Sequence, residues 1–102
     1  MIEYVKNLTF ENIIGKLILG VVTYQNKAGE VLGYKRFHGR VISANSEKGI
    51  TIKNEDNETF NLPPDLNHFE SANPGEYRLN DSGKIVVDPD YITMWISTKS
   101  DS

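Results

Sequence analysis

Cysteine is absent from this chain of 102 residues. That excludes a disulfide framework, a thiolate metal site and a cysteine nucleophile, and it suits a reducing compartment, so we expect a cytoplasmic protein. Histidine is nearly as scarce, with His38 and His68 far apart and neither at metal-ligand spacing from a second ligand. No Gly-x-Ser-x-Gly turn positions a serine, and neither Gly-x-x-x-x-Gly-Lys-Ser/Thr nor Gly-x-Gly-x-x-Gly occurs to cradle a phosphate. The acidic turn Asn54–Glu58 and the pair Asp88 and Asp90 lack the alternating ligands around a glycine of a calcium loop. The longest apolar run, Leu17 to Val22, is interrupted by Gly20 and falls far short of the ~20 residues that span a bilayer. The N-terminus lacks a signal-peptide pattern. These absences lead us to expect no catalytic residues, no metal, no cofactor and no membrane partner.

Charge is present but unevenly spread. The net charge is −3 and the isoelectric point about 5.3. Residues 27–53 carry six bases and two acids, whereas residues 54–102 carry three bases and ten acids. Such asymmetry marks either a charged binding face or basic and acidic strands that cancel across a sheet.

Short β-rich segments between turn signals dominate the pattern, in one domain of about the usual size. Thr9 suits a helix N-cap, Leu8 and Ile13 suit a hydrophobic staple and Gly15 a helix end, which predicts a short N-terminal helix over 8–15. Residues 16–25 are rich in β-branched and aliphatic side chains and read as a strand. After a turn at 26–29, residues 30–45 read as a long strand that Gly33 and Gly39 can bend. Strands follow at 50–53 and 58–62, the second stopped by Pro63-Pro64. A short 3-10 turn over 65–70 should bury Leu66 and Phe69. Residues 76–79 and 84–87 flank Asn80-Asp81-Ser82-Gly83 as a hairpin inside an inserted unit spanning 71–90. A last strand runs from Tyr91 to Thr98, before a frayed tail at 99–102. The expected core is Phe10, Ile13, Leu17, Leu19, Val21, Phe37, Val41, Ile50, Ile52, Phe60, Leu62, Ile92, Met94 and Ile96.

A short helix followed by strongly bent strands, with Gly39 inside Phe37-His38-Gly39-Arg40-Val41, resembles the Sm-like fold, whose second strand is bent and whose last strand returns beside the first. The resemblance covers residues 8–62 and 91–98 and rests on element order. It implies a mainly β protein: a small SH3-like or Sm-like, partly open barrel with a short N-terminal helix and an inserted hairpin. Separately, Leu62-Pro63-Pro64-Asp65-Leu66, Pro74-Gly75-Glu76-Tyr77-Arg78-Leu79, Asp88-Pro89-Asp90-Tyr91 and Trp95 are similar to the C-terminal half of small bacterial proteins without an assigned activity. That likeness carries no catalytic residues.

The stretch Tyr34-Lys35-Arg36-Phe37-His38-Gly39-Arg40 interleaves cations and aromatics, the combination by which single strands of nucleic acid are bound. Strand alternation places Tyr34, Arg36, His38 and Arg40 on one face, and Lys35, Phe37 and Val41 on the other. Trp95, the only tryptophan, is either a core residue or an interface anchor; we expect it partly buried beneath the 71–90 unit. Tyr34, Arg36, His38, Arg40 and Trp95 are therefore the candidate binding surface. The acidic balance argues against nucleic acid, so a non-catalytic, protein-binding module is the leading expectation, in one form an immunity-type inhibitor whose acidic face blocks a basic toxin cleft. An Sm-like protein binding single-stranded RNA is the alternative. An enzyme would need a pocket of convergent acids around Tyr77 or Tyr91. A monomer or homodimer is expected.

Overall fold

A computed structural model describes residues 8–79 and 83–98; the expected hairpin tip at 80–82 and tail at 99–102 lie outside them. From Leu17 to Leu62 the chain is an antiparallel meander of four strands: β1 (Leu17–Gln25), β2 (Val31–Asn45), β3 (Gly49–Lys53) and β4 (Thr59–Leu62). The same device opens each of its three reversals. The side-chain oxygens of Asn26, Asn45 and Asn54 accept backbone N–H groups from two residues further on in each turn, standing in for backbone acceptors where the ladder stops.

At 15 residues β2 serves two neighbours. It pairs with β1 through Arg40 and with β3 from Arg40 onward, Arg40 lying in register with both Leu17 and Lys53. Gly39 permits the changeover, because a Cβ there would lie 2.6 Å from the Lys53 carbonyl oxygen and the backbone has φ of 157°. A register shift between Val41 and Ser43 adds curvature.

A 3-10 turn at Leu66–His68, capped by the Asp65 carboxylate, leads into β5 (Phe69–Ser71). β6 (Glu76–Arg78) and β7 (Ile85–Val87) pair as a separate antiparallel hairpin, as the sequence predicts. β8 (Tyr91–Thr98) then returns beside β1 but runs parallel to it, giving the sheet order β4-β3-β2-β1-β8-β5. Leu17 and Asp90 fix the start of this pairing: Leu17 N–H donates to the Asp90 carboxylate and Asp90 N–H to the Leu17 carbonyl, each at 2.8 Å. β4 and β5 do not pair, so the sheet stays open instead of closing into a barrel.

Ile13, Ile18, Phe37, Val41, Ile50, Ile52, Leu62 and Phe69 form one buried cluster, with Phe10, Val22, Phe60, Tyr91 and Trp95 packed around it. The Phe37 ring lies directly on Gly20, where any Cβ would enter the ring, and stacks on Phe60 with centroids 5.4 Å apart.

Two expectations are corrected. Residues 10–15 form a hydrogen-bonded turn, not a helix. Thr9 and Asn12 cap one another and Ile13 N–H reaches the Thr9 carbonyl, but Gly15 N–H is diverted to Val41 across the fold. One turn so diverted never repays the cost of helix nucleation. The second correction concerns faces. Leu17, Leu19 and Val21 lie opposite Ile18 and are only half-buried, while Met94 and Ile96 are exposed and Thr93 is buried at 1% exposure. The polar residue goes inward because its hydroxyl donates to the His68 carbonyl at 2.8 Å, which removes the penalty for burying it.

Candidate protein-interaction face

Residues in register across β2, β1 and β8 share a face, so the outer face can be read row by row. His38, Leu19 and Ile92 form one row, Arg36, Val21 and Met94 the next, Tyr34, Thr23 and Ile96 the third, and Val31, Gln25 and Thr98 the last. The Gln25 amide donates to the Thr98 hydroxyl at 3.2 Å across the last row. A register shift leaves Leu32 as an extra residue at this end of β2.

The β6–β7 hairpin covers only the first rows. Tyr77, Arg78 and Leu79 share a cleft of about 150 Å³ with Leu19, Val21, Arg36, Ile92 and Met94, and Leu79 and Val86 are buried. Beyond Met94 no described element covers the face. Val31 is 53% exposed, Leu32 57%, Met94 60%, Tyr34 62% and Ile96 70%. Five large apolar side chains concentrated at one end of one sheet differ from the scattered apolar residues of an ordinary surface.

No family model, no curated protein and no solved structure matches this chain. The site must therefore be read from its own geometry.

The structure separates the residues that alternation groups together. Tyr34, Arg36 and Arg40 are exposed, and Phe37 and Val41 are buried as expected. His38 is not exposed: it is 8% accessible, and its Nε2 lies 2.9 Å from a Glu55 carboxylate oxygen. Because a carboxylate only accepts, Nε2 is the protonated nitrogen of this pair. Arg40 Nη1 donates to the Gly15 carbonyl at 3.1 Å, tying the N-terminal turn to β2. Trp95 is half-buried, as expected, but faces the core side of the sheet. Its ring stacks on His68 at 4.2 Å with 9° between the planes, so the cover over it is the 3-10 turn and not the 71–90 unit.

His38 belongs to a polar seam between sheet and hairpin. Lys84, on the approach to β7, pairs with both Glu55 and Asp56 in the β3–β4 turn. The Glu55 backbone N–H, His38 and Lys84 together lower the Glu55 carboxyl from 4.5 to about 2, and the same contacts, Asp56 foremost, raise Lys84. Beside the seam lies an open cleft of about 490 Å³ whose charged lining is Arg40, Lys53 and Glu55 together with His38. Among the described residues no group of three His, Asp or Glu side chains could hold a metal ion. The cleft beside Tyr77 is lined by Arg36 and Arg78 and by no acid.

Sequence reasoning missed Val31, Leu32, Met94 and Ile96 as surface residues, and the pairing of the hairpin's Lys84 with Glu55 and Asp56. One signal for the first group was available. Tyr91, Thr93 and Trp95 alternate with Ile92, Met94 and Ile96, and the two large aromatics favour the odd-numbered side as the packed one.

Proposed function

We propose that this chain is a non-catalytic, protein-binding module whose docking surface is the open end of the outer face, around Tyr34, Met94 and Ile96. The carrying observation is that the described residues of the hairpin cover the outer face only up to Met94, leaving Val31, Leu32 and Tyr34 of β2 and Met94 and Ile96 of β8 in solvent on either side of Thr23 and Gln25. Apolar patches of this kind, rimmed by polar groups, characterise protein interaction sites. Arg36 and Gln25 supply such a rim here. Tyrosine and methionine, present here as Tyr34 and Met94, are residue types enriched in interface cores.

The fold assigned with this reading is an SH3-like or Sm-like barrel left open. In its support, β1–β4 meander, β2 bends at Gly39 and the last strand returns beside the first. Its departure from a simple closed barrel is that β8 lies parallel to β1. No helix among the described residues is long and apolar enough to cross a membrane, and a cysteine-free chain suits the cytoplasm, where we place it. The immunity-type inhibitor is a special case of the same reading, with a toxin as the partner.

The RNA reading requires Arg36, His38 and Arg40 to act from one exposed face, whereas His38 is engaged by Glu55 beneath the hairpin. The test compares wild type with Tyr34→Asp and Met94→Asp in capture from a lysate of the native cell, with single-stranded RNA binding measured alongside. Capture lost in both variants, with melting temperatures unchanged, is the expected result. Capture indifferent to both variants would sink the proposal. Tight RNA binding abolished by neutralising Arg36 and Arg40 together, with a reduced salt slope, would replace it.

A further inference from the structure

Near the junction of β2 and β3, the open cleft of about 490 Å³ lies between β7 and the outer face of the sheet. Small-molecule sites are clefts of this order of volume. Its lining divides into a charged part, Arg40 and Lys53 with Glu55, and an aliphatic part, chiefly Ile42, Ile85 and Val87.

Arg40 and Lys53 are directly opposite one another on β2 and β3, so their side chains leave the sheet on the same face. Both are exposed. Like charges in this position repel and cost stability, and neither cation has a carboxylate partner among the described residues. Arg40 gives Nη1 to the Gly15 carbonyl; its remaining guanidinium N–H groups and the Lys53 ammonium have no acceptor among the described residues. Glu55 is the only acid in the lining, and His38 and Lys84 already engage it.

The aliphatic part is built from both walls. The register shift between Val41 and Ser43 leaves Ile42 without a partner on β3, and the bulge aims its side chain into the cleft. Bulges commonly re-aim a side chain beside a functional site. Ile85 and Val87 come from β7, and all three side chains are exposed. No phenyl, phenol or indole ring lines the cleft, so it offers no platform on which a nucleobase would stack.

We propose that this cleft is a second binding site, for a small aliphatic carboxylate whose head lies between Arg40 and Lys53 and whose chain runs along Ile42, Ile85 and Val87. Such a ligand offsets the repulsion between the two cations and covers the exposed aliphatic side chains at once, which neither a bare anion nor an uncharged chain does. The free N–H groups of a guanidinium suit a carboxylate. Glu55 in the same lining favours a single negative charge over a phosphate monoester, which carries nearly two. The site lies at the opposite end of the outer face from Tyr34, Met94 and Ile96 and does not rest on the docking proposal.

The test titrates the full chain with octanoate and follows the backbone amides by NMR. Saturable shifts centred on Arg40, Ile42, Lys53 and Val87 are expected. Acetate, which keeps the head, and octanol, which keeps the chain, should each bind about tenfold or more weakly than octanoate. Lys53→Gln removes an exposed cation without a partner, so the free variant should be no less stable than wild type, while its affinity for octanoate should fall about fivefold or more. Lys27→Gln, which removes the same charge from the turn between β1 and β2, should bind octanoate as wild type does. Several results would overturn the site: no saturable binding, shifts centred on Tyr34, Met94 and Ile96, octanol bound as tightly as octanoate, or equal affinity in wild type and Lys53→Gln. Octyl phosphate bound more tightly than octanoate would overturn the choice of a carboxylate head.

Discussion

The two ends of the six-stranded sheet are made from similar residues and treated oppositely. At the end where β2 meets β3, both faces are occupied: the core cluster lies on one side, and the β6–β7 hairpin, fastened by Lys84 to Glu55 and Asp56, lies over the other. At the end formed by Gln25, Val31 and Thr98, no described residue of the hairpin reaches over the face, and isoleucine, methionine and tyrosine stand in solvent. Apolar content alone does not say which end is core. What differs is whether another element reaches across.

The sharpest test of this contrast is at the closed end. Phe69 is fully buried, and Phe69→Ala should cost about 3–5 kcal/mol in urea unfolding; a loss under about 1 kcal/mol would show that the core is not where we place it. Next comes the glycine under the Phe37 ring. Gly20→Ala should destabilise by about 1–3 kcal/mol through overpacking, whereas alanine at exposed Gly29 would instead report the strain of its φ of 87°.

Thr93 probes why β8 faces as it does. Thr93→Val keeps the shape and removes the hydroxyl, leaving the His68 carbonyl without that donor, so about 1 kcal/mol should be lost. A gain in stability would mean the hydroxyl has no part in choosing the face.

The seam between sheet and hairpin predicts a pH dependence. Glu55 is ordinarily at 4.5 and is lowered to about 2 in the fold by its own backbone N–H, His38 and Lys84. A depressed carboxyl stabilises the fold above its unfolded value and loses that contribution as pH falls from about 4.5 through about 2. Wild type should therefore lose more stability than Glu55→Gln over that window. The difference should be small, because the Glu55 side chain is 59% exposed and solvent screens it. Parallel curves for the two proteins would remove Glu55 from the fastening. The smallest effect is expected at the open end, where Ile96→Ser should shift the stability of the isolated chain by no more than about 0.5 kcal/mol.

Much of this architecture was legible along the chain. The turn residues at 26–29, 46–49 and 54–57 announced the three reversals; Gly39 announced the bend; Pro63-Pro64 ended β4; and the 76–87 hairpin appeared where turn residues separate two apolar runs. Alternation also placed Phe37 and Val41 correctly inside. Less of the candidate site was legible. Tyr34 and Arg36 lie where alternation put them. His38 was misplaced because its covering residues, Leu79 and Val86, and its partner Glu55 are distant in sequence. Met94 and Ile96 were placed in the core because an apolar alternation is normally the buried one.

By itself the sequence determined which segments are extended and where they turn, since these depend on residues a few positions apart. Only the tertiary structure decided which face of β1 and β8 is inside, how far the hairpin reaches, and that β8 lies parallel to β1 with half of one edge open. The physical reason is that β1 is apolar on both faces and β8 can satisfy Thr93 inside as readily as it exposes Ile96. With local preference so nearly balanced, the choice passes to whatever packs across the sheet, here His68 over Trp95 and Leu79 over the row of Leu19.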